Sequence, residues 1–509
     1  MSLTVLLDCS GLNKVMRGLV QPDWFQKWSQ RQLQTVKQLS PFLKVHLKNG
    51  ELYVLKNWDR DSTDKHVIGE GSLLGPDRDT LRHGRFKIGI DSVALFETNI
   101  LEQSPSTAGL TLMTGVSLFI TAMCLSNPKA CFGSCPTFYI VGEDSLRPVA
   151  EGFSASIAPA LEATDIDALY HARNHNPTVE IEMRNEALET HVVRYVDLLA
   201  LPKTPGNRVY ADLYGNFWES DFLIPAAAAR GVEGDCLSLL READHVERYS
   251  LADSNYLGAK ESIELMFDNI QPGQYGIVVA CRQTLLSTYL LYQTFAYMGN
   301  NVGYWLAELE RKGVKSSSNS LTNILGGIEV FVQNSKGKWR LVDTIKEYGP
   351  LAIDFHLISI SIPGADSLNV RLRMTKGNWR VDYVALARLT GQVHPIDLKP
   401  YQVKQNGQID KRAQVALIDS AKQLVTLPGD RYILSYRLPK TAFDYELFIQ
   451  SRGYYLEWIR EEWIAEENPY LLAQEFLAPR LFLRRLAPEF KQVEGKMEEC
   501  FWNSRYARR

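Results

Sequence analysis

The chain has 509 residues, 45% hydrophobic and 23% charged, with a formal net charge of -3 at pH 7. This is an ordinary globular composition with room for several domains, and it excludes a disordered or collagen-like chain. The near-balanced charge supplies no global field for nucleic acid, and seven cysteines are too few for a disulfide scaffold of this length.

Residues 1–41 read as an N-terminal segment and a helix. Met1 to Leu7 has no basic n-region, so no complete signal peptide is visible. Leu6-Leu7-Asp8-Cys9-Ser10 resembles the end of a bacterial lipoprotein signal, although Asp8 stands where that pattern wants a small uncharged residue. The resemblance makes Cys9 a candidate for lipidation; a buried free thiol is the alternative. Pro22 to Leu39 is expected to be one helix. Pro22 fits its first position, and Trp24, Phe25, Trp28, Val36 and Leu39 fall mostly on one side.

From Phe42 the period changes to two, and residues 42–100 read as a small β-domain. Val45-His46-Leu47-Lys48 and Glu51 to Leu55 flank Asn49-Gly50, which suits a hairpin turn. Asp59, Asp61 and Asp64 lack the glycine and distal glutamate of a calcium loop and read as a solvated turn.

Ala108 to Asn127 carries no charge. It is long enough for the ~20 residues of a spanning helix, but Ser, Thr and Gly dilute it. It reads either as a membrane-embedded segment or as buried core. Cys131-Phe132-Gly133-Ser134-Cys135-Pro136 follows directly. In an extended strand the two cysteines would stand about 13 Å apart, too far for a bridge. Gly133 and Ser134 permit a turn that closes that gap. A disulfide between Cys131 and Cys135 is expected first, in an oxidising compartment. Free thiols come second, and a copper- or zinc-handling pair third.

The run Cys-Phe-Gly-Ser-Cys-Pro-Thr-Phe-Tyr, ending at Tyr139, is similar to the opening of a small uncharacterised bacterial envelope domain. Its pattern is Cys-x-Gly-x-Cys-Pro-x-Tyr. The resemblance covers 131–170 and implies an envelope location without an activity.

Residues 128–255 are taken as this Cys-motif β-domain. Within it Thr178 to Met183 and Glu189 to Leu201 alternate as strands do, and Asn185 to His191 is the densest polar cluster between them. Glu189 and His191, two apart, share one strand face. With Glu186 they form the candidate catalytic or metal-binding set; a hydrogen-bonded polar patch is the alternative.

Residues 256–395 are expected to form a β-sandwich. Ile328 to Val332, Trp339 to Val342, Ala352 to Leu357, Leu368 to Met374 and Arg380 to Leu386 read as five strands, with Trp339 and Trp379 at least partly buried. Gln283 to Met298 looks helical. Further strands fill 396–453, and 454–509 is a helical C-terminal arm in which Pro479 interrupts and Pro488 starts a new helix. Leu477, Leu481, Leu486, Phe490, Val493 and Met497 supply its apolar stripe. Asn185-Glu186 with Glu189-Thr190, Gly337-Lys338-Trp339, and Arg371 to Thr375 with Trp379 and Asp382 resemble β-sandwich modules beside FG-GAP and tetratricopeptide repeats in bacterial surface proteins. That resemblance implies glycan or partner binding over 180–450.

The fold class expected is therefore mainly β: a small N-terminal β-domain, a hydrophobic segment, tandem β-sandwich-like domains and a helical C-terminal arm. The chain has no phosphate-binding glycine loop, His-Glu-x-x-His or nucleophile elbow. The expected function is a non-enzymatic, membrane-associated protein of the bacterial cell envelope. It would bind a protein partner or a glycan and need no cofactor. A metal-dependent hydrolase using Glu186, Glu189 and His191, or a redox or copper-handling protein using Cys131 and Cys135, are the alternatives.

Overall fold

The computed structural model describes residues 14–20, 22–39, 43–49, 51–75, 80–102, 135–141, 148–154, 156, 161–170, 172, 177–187, 189–299, 321–346, 349–362, 367–427, 429–439, 444–457 and 467–503. Cys9, Cys131 and the uncharged run 108–127 lie outside them. The protein is mainly β, as expected, and its strands pair antiparallel in five sheets. The chain divides into two compact units. One comprises 1–123, 294–311 and 458–469; the other comprises 124–293, 312–457 and 470–509.

In the first unit, six strands between Lys14–Val20 and Val93–Glu102 form one sheet. Leu43–Leu47 pairs antiparallel with Leu52–Arg60, as the hairpin reading requires, with Val45 opposite Tyr53. Phe25, Leu33 and Val36 are buried against Trp58 and Phe96. Phe25 stacks on Phe96 with ring centroids 4.0 Å apart. The expected single helix is two, Pro22–Lys27 and Gln30–Leu39. The break has a local cause. Ser29 caps the second helix, its Oγ accepting from the Gln32 amide at 3.3 Å, while the Gln32 side chain accepts from the Ser29 amide at 2.8 Å. This reciprocal capping box starts a new helix where hydrophobic spacing alone continues the old one. The aspartates at 61 and 64 lie at a turn, as read. Asp61 accepts from the Thr63 hydroxyl at 2.8 Å and from the His66 amide at 3.2 Å.

The second unit is a stack of four sheets. The first layer contains Thr137–Ile140, Ala150–Glu151, Thr178–Arg184 and Arg431–Arg437, with Gln402–Gln405 and Gln408–Ile409. The second contains Ala163–Ala168, Glu189–Lys203, Ile396–Leu398 and Asp444–Glu457, with Leu424–Thr426 on the strand Glu189–Lys203. Ile181, Leu434 and Tyr436 of the first layer meet Val193, Leu198, Leu447 and Ile449 of the second in one core.

The third layer holds Arg208–Ala211, Phe217–Pro225, Gly273–Gln283, Asp354–Ile362 and Trp379–Val393, with Arg248–Tyr249 on the last strand. The fourth holds Ala228–Gly231, Gly234–Asp235, Lys260–Asp268, Ile328–Gln333, Trp339–Ile345 and Ser367–Thr375. Ile277, Val279 and Leu386 pack against Ile263, Phe267, Val330 and Leu372 in the core between them. All five strands read between 328 and 386 are present, but the sandwiches do not follow the expected boundaries: strands from 208 to 249 join this second sandwich, and strands from 396 to 457 return to the first. Trp379 is buried within this core, and Trp339 is half-buried under the Arg371 guanidinium, 4.1 Å from its ring.

The second and third layers also pack on each other. Leu199, Leu201 and Phe448 from one meet Val209, Ala211 and Phe217 from the other. The expected helix from Gln283 begins only at Leu286, because the strand Gly273–Gln283 continues to that glutamine, paired with Trp379.

The C-terminal arm is Pro469–Leu477 followed by one helix, Pro479–Asn503, which runs through Pro488. Proline lacks one backbone donor, but Leu486, Ala487, Phe490, Val493 and Met497 are all buried and hold the helix across it. Leu477 and Leu481, expected in the same apolar stripe, are exposed. Within this unit the arm docks on the third layer. Tyr249 donates to Glu494 at 2.9 Å, Arg380 pairs with Glu498 at 2.6 Å, and Tyr289 meets Phe490 with centroids 5.2 Å apart.

Candidate functional site

The residues singled out for chemistry lie at one end of the first sandwich. Glu189 and His191 open a strand paired with Leu424–Thr426 on one side and Asp444–Glu457 on the other. Alternation turns both to the side of Val193, towards the core shared with the first layer. Glu189 Oε1 and His191 Nε2 are 2.8 Å apart, and both side chains have zero exposure. Glu186 belongs to a neighbouring group. It accepts from the Tyr139 hydroxyl at 2.7 Å and the Thr137 hydroxyl at 2.9 Å, with Arg184 3.8 Å from its other oxygen. The Arg184 guanidinium lies 3.9 Å from the Tyr139 ring. Asn185 bridges the two groups by donating to the carbonyl oxygens of Glu189 at 3.0 Å and Thr426 at 3.2 Å. The sheet pairing therefore gives Glu189 and His191 to each other, and Glu186 to the strand carrying Thr137 and Tyr139. No group of three or more His, Cys, Asp or Glu among the described residues is arranged to hold a metal ion.

Cys135 is a free thiol at the start of the first-layer strand. It is buried and hydrogen-bonded to the Glu151 carboxyl. Burial first, then the nearby carboxyls of Glu151, Glu189 and Asp165, push its pKa well up. It is held as a neutral thiol, unlike a nucleophilic or metal-binding thiolate. Cys236 and Cys281 are likewise free and buried.

An opening to solvent lies elsewhere, at the seam between the second and third layers. The chain leaves the strand Trp379–Val393 of the third layer, turns at His394-Pro395, and enters Ile396–Leu398 of the second. Beside this crossing is a cleft of about 260 Å³. Ile166, Leu199 and Gln450 line it from the second layer, and Phe217, Gln392 and Val393 from the third. Asn216, His394 and Asp397 complete its polar rim. Leu199 and Phe217 are buried floor residues; Asn216, Gln392, His394 and Asp397 are exposed. The rim is anchored at Asp212, which accepts from the Asn216 amide at 2.9 Å, the Asn216 side chain at 3.0 Å and the Trp218 indole at 2.9 Å. Sequence reasoning missed this cleft because its walls come from five separate segments scattered between Ile166 and Gln450. The local signal was the turn residues Asp212 to Asn216 and the Pro395 break.

No protein-family model matches the chain, and no curated protein matches it. Among solved structures it is similar to wild-type BuGH86 in complex with neoagarooctaose, at 7% identity over 44% of this chain and 33% of that one, with a TM-score of 0.17. An allantoicase is similar at 11% identity, 50% and 90% coverage, and a TM-score of 0.18. The GH31 alpha-xylosidase from Xanthomonas citri is similar at 10% identity, 81% and 32% coverage, and a TM-score of 0.15. The chain spans about a third of the length of the first of these. TM-scores this low assign no fold.

Proposed function

We propose that the protein is a non-enzymatic binding subunit of the bacterial cell envelope, and that the seam cleft takes an uncharged glycan. The observation that carries this reading is the cleft lining. Sugar hydroxyls donate and accept at once, and the side-chain amides of Asn216, Gln392 and Gln450 offer both functions in fixed planes. Ile166, Phe217 and Val393 present the apolar surface that the C–H face of a sugar ring needs. The volume is below the ~300–1,000 Å³ of pockets for drug-sized ligands, which fits a chain end or a short oligosaccharide. By contrast Glu189 and His191 have zero exposure, and a substrate has no path to them in this conformation. Their burial favours a structural role over hydrolysis.

A glycan array followed by calorimetry on the full chain tests the reading. A neutral oligosaccharide is expected to bind. Gln450→Ala and Asn216→Ala should each weaken binding about tenfold, the cost of leaving one hydroxyl without its partner. Absence of binding to any glycan, or full affinity in both variants, overturns it.

A further inference from the structure

Three sheets of the second unit end at the same place. Ala150–Glu151 is the edge of the first layer, Ala163–Ala168 the edge of the second, and Asp354–Ile362 stands at the end of the third. An edge strand leaves backbone N–H groups that need acceptors. Here each edge supplies a carboxylate to the next sheet. Glu151 accepts from the amides of Leu351 at 2.8 Å and of Ala352, at the entry to the third layer. Asp354 of the third layer accepts from the Ala168 amide of the second. Asp165 of the second accepts from the Phe153 and Ser154 amides, which follow the edge of the first. The three carboxylates thus close a ring across three sheets. Gly349 is pressed against it, because a Cβ there would fall 2.0 Å from the Glu151 carboxylate oxygen.

A fourth acid, Asp167, lies two residues from Asp165 on the same face of the strand Ala163–Ala168. It is 6% exposed, and its Oδ2 has no hydrogen-bond partner. The titratable neighbours Cys135, Cys281, Tyr170 and His356 are held neutral. Cys135 is hydrogen-bonded to Glu151, and burial raises the Cys281 thiol and the Tyr170 phenol, both of which feel Asp354. His356 Nδ1 is 3.5 Å from Asp354, and burial drives that imidazole down to about 3, hence neutral. Arg282 reaches the same loop by donating to the Pro350 carbonyl at 2.9 Å, but its charge is answered by Glu247 and Glu498.

We propose that this ring is a pH-responsive clasp: the three sheet edges stay closed on one another while the buried carboxyls are protonated, and loosen when the protons leave and the uncompensated charges repel. Burial pushes Glu151 up to about 7 and Asp165 up to about 6. It also raises Asp354 and Asp167, the latter feeling Asp354, Asp165 and Glu151 as well. Each acid therefore holds its proton more tightly in the folded chain than in the unfolded one. The stabilisation is full below the ordinary carboxyl range and is lost as pH rises through about 6 to 7.

Amide hydrogen exchange on the full chain reads this directly, with each rate corrected for the intrinsic pH dependence of exchange. Between pH 5.5 and 8, protection at Phe153, Ser154, Ala168, Leu351 and Ala352 should fall about tenfold or more, the factor carried by one unit of proton linkage. Val279 and Leu372, inside the second sandwich, should keep theirs. Glu151→Gln, nearly isosteric and uncharged, should weaken the dependence, and Asp165→Asn should do the same if Glu151→Gln does not fold. Equal protection at the two pH values, an equal loss at Val279 and Leu372, or full pH dependence in the variant that folds would overturn the proposal.

Discussion

At the scale of single residues, the second unit depends on charges buried in pairs. Arg248 is 1% exposed and fully shared between two acids: Nε and Nη2 donate to Glu233 at 2.7 and 2.8 Å, Nη1 and Nη2 to Glu261 at 2.8 and 3.0 Å. Glu261, 2% exposed at its side chain, also accepts from the Ser250 hydroxyl at 2.8 Å. Its charge is tolerable only because the guanidinium answers it. Arg248→Met should therefore lower stability by about 3–5 kcal/mol, the usual cost of leaving one buried charge alone. Arg248→Lys should recover only part of that, since an ammonium cannot fork to two carboxylates. Arg248→Met combined with Glu261→Leu should recover more than half, because the orphaned charge is gone. Urea unfolding followed by tryptophan fluorescence measures all three. A single variant as stable as the parent would mean that solvent reaches Glu261.

At the scale of elements, alternation carried the fourth-layer strands Ile328–Gln333 and Ser367–Thr375, which have one face to the core and one outward, and turn residues bounded the third-layer strands Asp354–Ile362 and Trp379–Val393, which are buried on both faces. The helix boundaries were less legible. The break before Gln30 rests on one reciprocal pair of hydrogen bonds at Ser29 and Gln32, and hydrophobic spacing does not register it. The continuation through Pro488 rests on packing that only the fold reveals. Glu189 and His191 were placed on one strand face, as they are, but their complete burial depends on partner strands more than two hundred residues away. The carboxyl ring was missed for the same reason, although Asp165-Ile166-Asp167 set two acids on one face of a short strand and was readable as a signal. The long helix supplies its own test. Pro488 is exposed while its neighbour Ala487 is fully buried, so Pro488→Ala restores a backbone donor without disturbing the apolar face. It should raise stability by about 1–3 kcal/mol, read as a higher urea midpoint with an unchanged slope. A fall in stability would show that the proline fixes a bend the docking face requires.

At the scale of the whole molecule, the proposed envelope location carries a prediction of membrane attachment. No described helix is long and apolar enough to cross a membrane, and the run from Ala108 to Asn127 lies outside the described residues. Attachment at a membrane surface thus rests on two sequence features. The uncharged run has the length of a spanning or dipping segment. Cys9 stands in a lipoprotein-like context, and a single acyl chain anchors only marginally unless a second signal joins it. Together the two would hold the chain where either alone would not. Their contributions are separable. Expressed in a bacterial host, the full chain should pellet with membranes, resist a high-salt wash and come off in detergent. Salt resistance matters because a net charge of -3 gives no basis for electrostatic attraction to anionic lipid. Deleting Met1 to Cys9 should leave much of the protein bound, since the longer apolar surface remains. Replacing residues 110–125 with a polar sequence should release most of it, since a single acyl chain at Cys9 would anchor only marginally. A full-length chain that is soluble and monomeric without detergent would end the attachment proposal while leaving the glycan cleft and the carboxyl clasp to stand on their own tests.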